Sequence, residues 1–490
     1  MPQLRRLSVV PAGVLIGLVP IVLSRNPAWI RMAFALLIVA ALALVSLVNP
    51  RLSIVLTLCL LPFLAMIRRV LIPVAGWTSY DPLLLLAPVL AASLLYRVFI
   101  VEKRRLAADW VSGAVVLVMV LAIIQVVNPE GGGIAAGATG LLFIAAPLAW
   151  FFVGRELADE QLIRRLLAGV VFIAAGIAIY GLWQSLVGLL PWDSAWVDLN
   201  GYTSLNVFGA TRAFGTFSSG AEYAFFLAIA LVISVVMALR GRPIALIFTP
   251  VLACAIFLES SRTIIFVILL TLVGVIGLRT GSRVRAVLAL GLFIVLAVST
   301  IRVFGPQLTA IARQTGSPLI LHQVQGLMNP FDASQSTLQL HQQLVTNGFL
   351  GSLAHPLGFG TASTNLAGQK AGATTNSAEV DYIDAFVSLG LMGGAAFLTI
   401  VLLSLWRSAS LGLSKRSLTA LGAAAILVVT FGQWLNGGYY ALSPVVWLVV
   451  GWTNKEWLAA HRRAPSIPLS ATSVERLIGS QPRQAAGWFA

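Results

Sequence analysis

Three carboxylates, Glu379, Asp381 and Asp384, stand together in "SAEVDYIDAFVSLGLMGG", at the mouth of a stretch that is otherwise apolar and glycine-rich. Asp381 and Asp384 are spaced i, i+3 and share one helical face. Acids at a helix N-terminus cap free N–H groups and favour the macrodipole, which accounts for Asp381. Asp384 lies a turn further into the apolar run, where capping explains it less well. The chemical use of such a group is as a general base that takes a proton from an incoming hydroxyl. A D-x-x-D spacing also suits Mg²⁺ held through a diphosphate. No second acidic pair and no zinc spacing completes a metal site, so the expectation is no metal and no cofactor. His355 opens "HPLGFGTAST", a turn shaped by Pro and two Gly. It could act as acid, base or phosphate donor, or simply hydrogen-bond within its loop. His322 and His341 have weaker contexts.

The arginines offer a different chemistry. A guanidinium is a planar, permanently charged fork that matches phosphate. Arg212 lies in "ATRAFGTFSSGAEYAFF" just before an apolar run, Arg262 lies in "LESSRTIIFVILL", and Arg302 and Arg313 follow. A single interfacial arginine usually snorkels to lipid phosphate or caps a helix C-terminus. Arg212 stands out through its surroundings. Gly215 and Thr216 belong to a small, flexible "GTFSSG" run that lets backbone approach a ligand, and Glu222 is near enough to orient the arginine. Arg262 sits near Glu259, where a local salt bridge is the simpler account. Several arginines converging at one membrane boundary would suit a lipid diphosphate head group.

The elements that must position these residues are apolar. The chain has 490 residues, 59% hydrophobic and 10% charged, with mean hydropathy +0.93. Soluble domains carry about 25% charged residues. Apolar runs recur that are long enough to cross a bilayer core as helices. Fourteen are legible, near 9–24, 29–48, 52–67, 82–98, 111–128, 134–153, 167–189, 222–239, 243–258, 263–278, 286–303, 382–404, 418–435 and 442–453. The expectation is an all-α polytopic membrane protein with 12–14 transmembrane helices. The net charge of +15 then points to cytoplasmic loops rather than to nucleic acid. Cys59 and Cys254 fall inside apolar runs, as packing residues, and imply no disulfide framework. Met1–Arg6 reads as a basic tip before a first span rather than a cleavable signal.

Alternating the loops from a cytoplasmic N-terminus puts 23 of the 32 basic residues inside. The nine left outside are Arg25, Arg31, Arg68, Arg69, Arg212, Arg262, Arg302, Arg313 and Lys370. That bias predicts both termini in the cytoplasm. The domain plan is a bundle of about eleven helices over 1–303, with a shorter outer loop near 191–221. A large outer loop follows over 304–380, then membrane helices over 381–453 and a basic tail over 454–490. Long outer loops are where a membrane protein keeps water-facing chemistry. Within the large loop, "TLQLHQQLVTNGFLGSL" reads as a short helix on the membrane surface.

Four segments, in order, resemble a known family. "RAFGTFSSGAEYAFFLAIAL" is similar to the R-x-x-G-T-F segment before a membrane helix in bacterial O-antigen polymerases and O-antigen ligases. "ESSRTIIFVILL" resembles their S-R-[TG] turn, "HPLGFGT" their [HN]-P-[LI]-G-x-G turn, and "EVDYIDAFVSLGLMGG" the segment that closes their large periplasmic loop. The resemblance covers roughly 200–450. One departure matters: family members often carry His-Asn where Glu379 and Val380 stand. The base role of that histidine therefore passes to Glu379, Asp381 or His355, or the arginines carry most of the catalysis.

The resemblance implies a GT-C-like integral membrane glycosyltransferase of the bacterial inner membrane. Its donor would be a glycan on undecaprenyl diphosphate, presented at the periplasmic face. Its acceptor would be a glycan: another lipid-linked repeat unit in a polymerase of O-antigen, capsule or exopolysaccharide, or a lipid A–core sugar in a ligase. The E-x-D-x-x-D form favours the polymerase. A flippase and a chain-length regulator would be its protein partners, with no nucleic acid. Arg212, Arg262, Arg302 and Arg313 would bind diphosphate, with Gly215, Thr216 and Glu222 in support. Asp381, Glu379, Asp384 or His355 would take the proton. The competing class is a transporter or lipid-linked sugar flippase with ionisable residues along a pathway. The clustering of charges at helix mouths, and the lack of a clear pair of inverted repeats, speak against it.

Overall fold

The computed structural model describes residues 27–462, apart from 79–80, 107, 201–205, 208, 281, 330–331, 333–337, 366–367, 369–375, 416 and 436–438. The expected span near 9–24, the Met1–Arg6 tip, Lys370 and most of the 454–490 tail lie outside the described residues.

Helix dominates because the apolar runs satisfy their backbone groups internally, as a lipid environment requires. In chain order the helices are α1 (Pro27–Val48), α2 (Pro50–Leu60), α3 (Leu64–Val70), α4 (Ile72–Ala75), α5 (Leu86–Tyr96), α6 (Trp110–Ile124), α7 (Ile134–Leu157) and α8 (Glu160–Leu186). There follow α9 (Pro191–Asn200), α10 (Gly220–Leu239), α11 (Thr249–Glu259), α12 (Arg262–Arg279), α13 (Arg283–Gln314), α14 (Pro318–Met328) and α15 (Leu338–Ala354). The last three are α16 (Asp381–Lys415), α17 (Leu418–Val429) and α18 (Leu442–Arg462). The only sheet among the described residues is a two-residue antiparallel pair, Asn206↔Thr211 and Val207↔Ala210.

Ten helices among the described residues are long and apolar enough to cross a membrane. The chain is an all-α, multi-pass membrane protein. The expected spans near 243–258 and 418–435 are shorter apolar helices, Pro243–Glu259 and Leu418–Val429. The one near 442–453 is the first half of α18, whose second half carries Lys455 and Glu456. The span expected to end at 303 runs on to Gln314, because Pro306 sits inside α13 without stopping it. Among its described residues, the segment expected to form the large outer loop carries two helices: α14, and α15 where the short amphipathic helix was expected.

Small residues let the bundle close. A Cβ on Gly154 would lie 2.1 Å from the Leu448 carbonyl oxygen, and one on Gly451 would lie 2.0 Å from that of Phe151. α7 and α18 therefore pack backbone to backbone. At the rim, apolar side chains face outward. α13 exposes Leu288, Leu292, Val295 and Leu296, as a lipid-facing helix does. Cys254, expected in the packing, is also exposed.

Ionic contacts gather at the two ends of the bundle. At one end Asp109 caps α6 through the amides of Val111 and Ser112. Its carboxylate takes Arg155 at 3.0 Å and Arg407 at 3.2 Å, and Asn454 donates to it at 3.2 Å. All the basic members of this knot belong to the set expected inside. The other end holds buried Arg31, Arg68 and Asp81, with Arg68 Nε 3.2 Å from the Asp81 carboxylate and Arg31 paired to the same oxygen. Every arginine in that trio belongs to the set expected outside.

Candidate functional site

Three local constructions hold the described residues that the sequence nominated for chemistry, Arg302 excepted.

The first is the turn before α10. Arg69, fully buried, donates to the carbonyls of Phe217 at 2.5 Å and Gly215 at 2.7 Å, and its Nε lies 2.7 Å from Asp193. Gln184 accepts from the Gly215 amide at 2.7 Å. The Thr216 hydroxyl donates to the Pro62 carbonyl at 2.6 Å. Gly215 and Thr216 are therefore buried and fully engaged; the backbone approach to a ligand expected there is closed. Their role is to fix the chain that carries Arg212. Glu222 does not orient that arginine either. It is buried and accepts from the Ala441 amide at 3.0 Å, holding the start of α18. The partner of Arg212 is Glu259, also buried. Arg212 Nη2 donates to its carboxylate at 2.6 Å and Nε to its carbonyl at 2.8 Å. The local bridge between Glu259 and Arg262 does not form. The second Glu259 oxygen accepts from the Ser261 amide at 3.0 Å instead. A quarter of the Arg212 side chain remains exposed.

The second construction is the corner between α12 and α14. Arg262 Nη2 donates to His322 Nε2 at 2.8 Å and to the His322 carbonyl at 3.2 Å. A guanidinium has no acceptor, so the ring nitrogen facing it is unprotonated. Burial, then the charges of Arg262 and Arg212, push His322 down to about 4. It is a neutral imidazole between two cations. The guanidinium lies flat on α14, because Gly326 offers no side chain: a Cβ there would meet Arg262 Cζ at 1.9 Å. His322 also lines a cavity of about 200 Å³, together with Arg313, Gly316, Ser317, Pro318 and Leu321 among others. Arg313 therefore joins the corner. Arg302 does not line it; it sits three turns earlier on α13, exposed.

The third is the re-entry of the chain into α16. Gly390 has φ 75 and ψ −177, which breaks the helix. Into the break slots the "HPLGFG" turn. Phe359 and Gly360 donate to the carbonyls of Val387 and Ser388 at 2.8 and 3.2 Å, and Leu391 donates to the Pro356 carbonyl at 2.9 Å. Gln125 and Asn128 tie the same turn to the end of α6. The turn thus satisfies backbone groups that a broken membrane helix would leave bare. His355 at its edge lies 3.6 Å from Glu130 and packs against Phe359 at a tilt, with centroids 4.3 Å apart.

The three acids divide the work. Asp381 accepts from the Leu435 amide at 2.5 Å and so ties down the loop after α17. Asp384, which capping explained least from sequence, folds back to accept from the Ala378 amide at 2.6 Å and the Ser377 hydroxyl at 2.9 Å. It closes the chain just before its own helix. Glu379 is left facing solvent with φ 60, a left-handed conformation. Its carboxylate lies 2.9 Å from His341 Nδ1, on α15. That hydrogen bond holds Glu379 below and His341 above their ordinary ranges.

Of the residues nominated from sequence, Arg212 and Arg262 meet Glu259 and His322, Arg313 lines the cavity beside His322, and Glu379 meets His341. In the sequence alone, Glu259 reads as the partner of Arg262, and the two histidines have weaker contexts. Compared with known proteins, the chain matches no family model and no curated protein.

Proposed function

We propose that the chain is a polysaccharide polymerase of the bacterial inner membrane, with a GT-C-like arrangement and both termini in the cytoplasm. It joins oligosaccharide repeat units carried on undecaprenyl diphosphate at the periplasmic face. The observation that carries the reading is the cationic corner. Arg262 and His322 are in contact, Arg212 is close enough to act on both electrostatically, and Arg313 lines the adjoining cavity. Among the four, three are permanently charged, and the buried carboxylate of Glu259 offsets one.

The chemistry follows from the donor. A sugar linked to a lipid diphosphate already has its leaving group. The protein must neutralise the charge that develops on the departing phosphate and hold both glycans in line. Arg212, Arg262 and Arg313 supply that charge without a metal, and His322 keeps the Arg262 fork aimed. Glu259 holds Arg212 at the edge of the corner. The acceptor hydroxyl arrives in the outer segment that carries α14 and α15. A flippase would deliver the donor, and a chain-length regulator would set when extension ends.

The test is the lipid-linked intermediate profile of a strain lacking the gene. A polymerase deletion accumulates single repeat units on the lipid carrier. Long polymer retained on the carrier would instead identify a ligase, and an unchanged profile would remove both. Arg212→Ala should abolish polymer while the protein still inserts. Loss of one preorganised charge donor costs about 100- to 1,000-fold in rate. Activity should survive thorough EDTA treatment.

A further inference from the structure

We propose that His341, oriented by Glu379, is the general base that activates the acceptor hydroxyl. The inference rests on the glycosyl-transfer reading above and adds the residue that reading lacks.

The other candidates for the proton are committed elsewhere or lack an orienting hydrogen bond. Asp381 holds the Leu435 amide, and Asp384 holds Ala378 and Ser377. His322 takes the Arg262 fork through the ring nitrogen that a base would need. His355 packs at a tilt against Phe359, and its Nδ1 lies 3.6 Å from Glu130, beyond hydrogen-bond reach, so no carboxylate among the described residues orients its ring. The His341–Glu379 pair is accessible, with 45% and 57% of the two side chains exposed, much as His355 and Glu130 are. Two further features set it apart. Its hydrogen bond uses Nδ1, at 2.9 Å from the carboxylate, which puts the proton there and leaves Nε2 as the acceptor. And Glu379 is pinned: its amide donates to the Ser377 hydroxyl at 3.0 Å, and Gln433 donates to its carbonyl at 2.9 Å. Those bonds hold a non-glycine residue at φ 60, a conformation that persists only where surroundings impose it. A carboxylate so fixed, aimed at one ring nitrogen, is the arrangement that selects an imidazole tautomer for base catalysis.

The step balances as follows. His341 Nε2 takes the proton of the acceptor hydroxyl. The hydroxyl oxygen forms a bond to the anomeric carbon. The bond from that carbon to the phosphate oxygen breaks, and its electron pair leaves with the lipid diphosphate. Imidazolium then returns the proton to water. Glu379 stays ionised throughout and is a positioning residue.

The test uses the full chain in detergent or liposomes with a lipid-diphosphate-linked repeat unit, and separates kcat from KM. His341→Gln should lower kcat about 100- to 10,000-fold, the usual contribution of a positioned base, with KM little changed. Added imidazole should restore part of the rate to His341→Ala. Glu379→Gln should shift the acidic limb of the pH–rate profile to lower pH, because it removes the bond that raises His341. The other titratable groups on the packed α16 start, Asp381, Tyr382 and Asp384, are unaltered in that variant. Wild-type kcat in a folded His341→Gln protein would overturn the base and leave the transfer reading standing. Absence of transfer by the wild-type chain would overturn both. A Glu379→Gln profile superimposable on wild type would overturn the pairing.

Discussion

Gly390→Ala tests the break in α16 and, through it, the turn at 355–360 that is bonded into the break. At φ 75 and ψ −177 the backbone is in a region essentially reserved for glycine. A methyl group there would also meet the Pro356 carbonyl oxygen at 2.4 Å and the Leu357 carbonyl carbon at 2.6 Å. Neither obstacle is the tip of a flexible side chain; both are backbone of the inserted turn. The backbone strain costs on the order of 1–3 kcal/mol. Expelling the turn forfeits its three hydrogen bonds to α16, at about 0.5–1.5 kcal/mol each. The expected destabilisation is on the order of 3–7 kcal/mol, a large share of an ordinary margin of about 5–15 kcal/mol. The assay is thermal unfolding in detergent, together with limited proteolysis across 355–365. Gly113→Ala is the control, since nothing lies within 4 Å of a Cβ there, and it should melt at or above wild type. A Gly390→Ala protein with wild-type melting and an equally protected turn would refute the reasoning.

Gly326→Ala should drive the Arg262 guanidinium off α14 and away from His322; transfer should fall while helix content, read by circular dichroism, stays unchanged. Arg313→Ala should weaken binding of the lipid-linked donor, seen as a raised KM, whereas Arg302→Ala, outside the corner, should leave KM at wild type. Glu222→Ala leaves the Ala441 amide buried without its acceptor and should cost about 1–3 kcal/mol, read as an earlier melt. For pH, the protonated His341–Glu379 pair stabilises the fold below the ordinary histidine value of 6.5. That contribution is lost as pH rises through the raised folded value. Unfolding temperature should therefore decline across that window in wild type and flatten in Glu379→Gln.

Much of the architecture was legible because apolar length is a one-dimensional signal. The ten long helices fall where runs of hydropathy place them. The end of α13 was misplaced because Pro306 and the polar residues after it resemble a boundary, while an exposed helix tolerates both. Site residues were legible as types rather than as pairs. Arg212 and Glu222 are near in sequence, yet Glu259 from another helix wins the contact. The end of α11 meets the start of α10 there, and Glu222, on the first turn of α10, turns to the Ala441 amide instead. His341 and Glu379 meet through the packing of α15 on α16, a relation that spacing along the chain does not encode. Asp384 shows the opposite failure. Its depth in the apolar run suggested chemistry, but the chain before α16 doubles back to bring polar groups down to it.

Arg31, Arg68 and Asp81 carry a consequence for biogenesis. The two cations lie on the first two described membrane segments and their shared acid begins the third. As the chain is made, both arginines emerge before the carboxylate that neutralises them. Neither earlier helix can settle with its ionic end dry, because an uncompensated charge in the bilayer is expensive. The Trp77 ring, 4.7 Å from the Arg68 guanidinium, comes from the connection to the third segment and arrives equally late. The expected outcome is concerted insertion of this region: a nascent chain arrested before residue 81 should be turned over faster than one arrested after the third segment, read by pulse-chase.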